Sequence, residues 1–137
     1  MKIILAILCL ALAAQAAVER DSYQVMKEMA ANLKPMIQAV LKDMPTTAPY
    51  RKIKQDWQNV LSIYDEHKDG EKCIDKVNRI IQAFGNTIRN YLKRNTNEVE
   101  KEMLRLFNQH GFEVFTDKYG QMLQSAKNPE YELNDRC

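Results

Sequence analysis

Apolar side chains return every three or four positions along most of this chain, the pattern of helices that each bury one face. The first stripe is Tyr23, Met26, Ala30, Leu33, Ile37, Val40 and Met44. It predicts a helix over 23–44, and Asp21 three residues before Gln24 predicts a capping box at its start. Pro35 falls inside the stripe, where it removes a backbone hydrogen bond and crowds the preceding turn, so one helix kinked near Leu33 is expected. Pro45-Thr46-Thr47-Ala48-Pro49 opposes helix and predicts a linker.

A second stripe, Tyr50, Ile53, Trp57, Val60, Leu61 and Tyr64, predicts a helix from about Pro49 to a left-handed stop at Asp69-Gly70. The third runs Cys73, Ile74, Val77, Ile80, Ile81, Phe84, Ile88, Tyr91 and Leu92; as the most apolar, it is expected to be the central helix. Asn95, three residues before Glu98, offers a cap for a fourth helix through Val99, Met103, Leu106 and Phe107, ended by Gly111. Phe112, Phe115, Tyr119, Met122 and Leu123 predict a short fifth helix to about Lys127. The expected fold class is all-α, a single-domain bundle of four to five amphipathic helices over 17–127, the first kinked at its proline. An extended C-terminal tail over 128–137 completes it. In an up-and-down bundle the fifth helix would end opposite Cys73, a distance that ten extended residues, reaching about 33 Å, just cover.

The first 16 residues break this pattern and change the reading of the rest. Lys2 is followed by an apolar run over 3–14 and by Ala14-Gln15-Ala16, the layout of a signal peptide cleaved after Ala16. The rival is a membrane anchor, but 12 helical residues span only about 18 Å of a hydrocarbon core roughly 30 Å thick. A secreted, extracellular protein without a transmembrane anchor is expected. Export in turn makes Cys73 and Cys137 an expected disulfide and not a pair of thiols, because the secretory route is oxidising. Closing that loop of about 65 residues is worth up to about 4 kcal/mol. A monomeric staple and a disulfide-linked dimer through Cys137 both satisfy the count.

Charge and motif content exclude several functions. Losing Lys2 from 20 basic residues leaves 19 against 18 acidic ones, interleaved along the chain, which argues against nucleic acid as a partner. His67 and His110 fall on different predicted helices, and no His-Glu-x-x-His, Cys-x-x-Cys, calcium loop, phosphate-binding glycine loop or Gly-x-Ser-x-Gly turn occurs. No metal site, cofactor or enzymatic activity is therefore expected. No Asn-x-Ser/Thr sequon follows the leader, and Lys93-Arg94 reads either as a processing site or as cations at a helix C-terminus. Methionines and aromatics on the stripes fill a core or line an adaptable cavity. Met36, Trp57, Ile81, Phe84 and Phe107 are the candidate residues for either use.

The stretch over 33–73, with its Pro45-Thr46-Thr47-Ala48-Pro49 turn, its aromatic helix from Trp57 to Tyr64 and its mid-chain Cys73, resembles small secreted insect proteins of the male accessory gland. The resemblance implies a seminal or other secreted signalling role and assigns no site residue. It departs from that group in lacking an earlier cysteine within the mature chain. The expected function is thus a secreted, non-enzymatic helical binding protein, an extracellular interaction or signalling factor working through exposed faces that carry Lys54, Asp56, Glu100 and Arg105. The alternative is a carrier of a small hydrophobic ligand or lipid within the bundle. The staple and the dimer separate by mass: under non-reducing conditions the staple lowers the monomer mass by about 2 Da, whereas a dimer doubles it until a reductant is added.

Overall fold

The structure, a computed structural model, describes residues 21–91 and 97–128. Its helices are α1 (Ser22–Asp43), α2 (Arg51–Asp65), α3 (Cys73–Tyr91), α4 (Glu98–Gln109) and α5 (Phe112–Ser125), with a 3-10 turn at Ala48–Tyr50 before α2. The described residues are all-α, as the periodicity predicts. The leader and Cys137 lie outside them, as do Lys93, Arg94 and Asn95.

Local chemistry sets most boundaries. Asp21 and Gln24 form the expected capping box: Gln24 N–H donates to Asp21 Oδ1 at 2.8 Å, and Asp21 N–H to Gln24 Oε1 at 3.4 Å. α1 continues through Pro35 because that ring sits on the exposed side. The α4 cap is Asn97, whose side chain accepts from Glu100 N–H at 2.8 Å, two residues after the expected position. Gly111 takes φ of 91° and hinges α4 into α5. Gly70 is also left-handed, at φ 76°, but α2 has already ended at Asp65, so this glycine turns the connecting loop instead of stopping the helix.

Packing overturns the expected centre. α1 packs on α2, α3, α4 and α5, whereas α3 packs mainly on α2 and α1. The main core joins Leu33, Ile37 and Val40 of α1 to Trp57 of α2, Phe84 of α3 and Phe107 of α4. Trp57 and Phe107 are fully buried, with ring centroids 4.8 Å apart, and Phe84 lies 5.4 Å from Trp57. Each such ring contributes roughly 1.5–3 kcal/mol by burial. A second, smaller cluster holds Tyr23, Ala30, Cys73, Val77 and Ile80.

The path also differs from a simple up-and-down bundle. The Tyr64 hydroxyl donates to the Ala30 carbonyl, and Tyr91 donates to Asp56, so α2 runs back along α1 and α3 runs forward again. α4 begins beside Pro49 and Tyr91 and ends at His110, whose Nε2 lies 2.7 Å from Asp43 Oδ2. Both ends of α4 are therefore at the pole where α1 finishes. α5 returns antiparallel to α1, with Asn32 donating to the Tyr119 hydroxyl and Ser22 N–H donating to the Lys127 carbonyl at 3.0 Å. It ends at the pole where α3 begins, the same one as Cys73 and not the opposite one.

Replacing Trp57 by Ala removes the ring shared by three helices and is expected to cost about 3–5 kcal/mol, read as a lower urea midpoint.

Candidate functional site

The second cluster leaves a groove open beside it. Lys27, Ala30 and Ala31 of α1 form one wall, Tyr64 and His67 the end, and Cys73, Lys76, Val77 and Ile80 of α3 the other wall. It encloses about 430 Å³, within the roughly 300–1,000 Å³ usual for ligand sites. The groove exists because α1 presents two methyl side chains, Ala30 and Ala31, where larger residues would close the space to α3. The α3 positions follow the helical spacing i, i+3, i+4 and i+7, so they share one face.

Pro35 gives this wall a second property. Lacking an N–H, it leaves the Ala31 carbonyl, four residues earlier, without its usual helical donor. Ala31 is exposed and lines the groove, so the residue with this carbonyl belongs to the groove wall.

The far end is held rigidly. Lys76 Nζ donates to the carbonyls of Tyr64 and Glu66, both at 2.9 Å, tying the end of α2 to α3. Arg79 donates to Glu66 at 2.6 Å and forks onto Glu71 at 2.8 and 3.0 Å, clamping both sides of the loop. Its guanidinium holds the Glu71 carboxyl below the usual carboxylate range. Lys34 Nζ stands 5.5 Å from the centre of the Tyr64 ring, and burial pushes the Tyr64 hydroxyl up. A smaller polar recess of about 130 Å³, lined by Glu66, Lys68, Glu71 and Lys72, adjoins the groove and shares His67, Cys73 and Lys76 with it.

The residues singled out from sequence fall elsewhere. Met36, Trp57, Phe84 and Phe107 are packed in the main core, Ile81 lies half-buried against the second cluster, and none of the five lines the grooves described. Cys73 is 1% exposed, at the base of the groove. Of the charges expected to face a partner, Asp56 accepts from Tyr91, and Arg105 forks onto Glu102 at 2.9 and 2.5 Å. Lys54 and Glu100 are half-buried. Among the described residues no cluster of His, Cys, Asp and Glu could hold a metal ion, and no helix is long and apolar enough to cross a membrane. Lys27, Ala31 and Lys76 are site residues that lie off the predicted stripes, and Ala30 and Tyr64 lie on them only as core positions. The signal for the α1 wall is a pair of small residues, Ala30 and Ala31, five and four positions ahead of a mid-helix proline.

No protein-family model, curated protein or solved structure matches the chain.

Tyr64 and Tyr91, both half-buried, give the fold an alkaline limit. Burial, and then the hydrogen bond to Asp56, push Tyr91 up to about 12 from its ordinary value of 10. A pKa raised on folding means stability is fully present below about 10 and lost as pH climbs toward about 12. Urea midpoints should therefore fall across that window, and less steeply in Tyr91→Phe; an identical slope in the variant would refute the assignment.

Proposed function

We propose that the chain is an exported, non-enzymatic helical binding protein whose α1/α3 groove receives an extended, mainly apolar segment of a protein partner. The observation that carries this reading is the groove itself, with an apolar floor, Lys27 and Lys76 at its edges, and an Ala31 carbonyl without its helical donor. An extended peptide brings what that wall lacks, since its backbone N–H groups are unpaired and its side chains alternate between floor and solvent. The bend expected of α1 at Pro35 belongs to the same proposal, because the ring that frees the Ala31 carbonyl also crowds that turn.

Export rests on the leader-like pattern over 1–16, and the monomeric staple on the shared pole of Cys73 and the end of α5. A seminal or signalling context rests on the accessory-gland resemblance over 33–73. A carrier holding its ligand among Met36, Trp57, Ile81, Phe84 and Phe107 has no supporting observation, since the Trp57, Phe84 and Phe107 rings already fill the space between their helices.

The test is a random decapeptide library selected on the reduced full chain. Enrichment of sequences with alternating apolar positions, bound with micromolar affinity and at least tenfold more weakly by Ala31→Trp, is the expected result. Selected peptides that ignore the tryptophan would place recognition elsewhere and overturn the groove.

A further inference from the structure

The last described residues point at the groove. Lys127 pairs with Asp21 as a parallel bridge, so the chain leaving α5 heads in the same direction as the start of α1, toward Lys27 and Ala30. Ser22 and Ala31 are nine residues apart on one helix, about 14 Å. Residues 128–137, reaching about 33 Å when extended, cover that distance and more.

Their composition suits the groove as well. Glu130, Tyr131, Glu132 and Leu133 alternate acidic and apolar, the period of an extended strand with one side for an apolar floor and the other for cations. Lys27 and Lys76 supply those cations at the groove's edges. Cys73 lies at its base, and outside residues 1–16 the sequence holds one other cysteine, Cys137.

From this we propose that residues 129–137 of the same chain lie in the α1/α3 groove as a latch, hooked by a disulfide between Cys73 and Cys137, which a partner segment must displace. The proposal rests on the groove reading above. Forming the hook takes a disulfide donor, such as oxidised glutathione: the two cysteine thiols lose two electrons and two protons, the new S–S bond forms, and the donor leaves as two thiols. A dithiol reductant reverses the step and frees the latch without disturbing the helices.

The experiment uses the oxidised full chain and a full-length Tyr131→Ser, Leu133→Ser, Cys137→Ser variant, whose retained helicity is checked by circular dichroism. The probe is a synthetic peptide of residues 128–136. It should bind the variant at least tenfold more tightly than the oxidised wild-type chain, and Ala31→Trp added to the variant should abolish that binding. In the wild type, amides over 130–135 should exchange at least tenfold more slowly before reduction than after. Equal binding to variant and wild type, or exchange unchanged by reduction, would overturn the latch. A peptide that fails on the variant while library-selected peptides bind there would overturn the latch and leave the groove reading standing. Failure of both peptides would overturn both. Disulfide mapping that joins Cys73 of one chain to Cys137 of another would overturn the hook.

Discussion

α1 has to satisfy four neighbours at once, and the rest of the molecule is arranged around that requirement. Its 22 residues span about 33 Å, long enough for α2 and α5 to run back along it, α3 to run beside it and α4 to cross near its end. A helix with so many neighbours needs apolar residues on more than one stripe, which is why Val25 and Met36 are buried along with Leu33 and Ile37. It also needs one place where contact is light, and Pro35 occupies it. A proline facing another helix would set a carbonyl without a donor inside the core, whereas on the exposed side that carbonyl meets solvent or a ligand.

The same division separates a closed half from an open one. Toward the end of α1 the Trp57, Phe84 and Phe107 rings interlock, and their large side chains leave no room. Toward its beginning the residues shrink to Ala30 and Ala31, so α3 stays connected through Cys73, Val77 and Ile80 but does not close over them. Lys76 and Arg79 then hold the connecting loop in place by charge-assisted bonds to carbonyls and carboxylates, replacing apolar burial where the helices diverge. An edge fixed in this way has little conformational entropy left to lose on binding, as the proposed groove requires.

Much of this fold is legible in the sequence. Five apolar stripes correspond to five helices, and the Asp21/Gln24 box and the Gly111 hinge sit where local chemistry requires them. Periodicity reports which face of a helix is apolar, however, and not how many partners share that face, so the most apolar stripe, that of α3, pointed to the wrong centre. Asn95 and Asn97 offer similar caps, and only the chain's path selects Asn97. The groove is made by what is missing, two short methyl side chains and one absent N–H; Ala30 does sit in the first stripe, but a stripe records that a position is apolar and not how little space it fills. The pairing of His110 with Asp43 depends on the crossing direction of α4, which no local signal encodes.

The single tryptophan lies at the middle of the closed half, and its indole Nε1 is buried without a hydrogen-bond partner among the described residues. Its emission should therefore sit toward the blue and depend on the integrity of the ring stack, while events at the alanine-walled half leave it largely unchanged. Intrinsic fluorescence of this protein is thus an optical gauge of melting and a poor one of occupancy, and a dye placed near Ala31 would be needed to watch the groove fill.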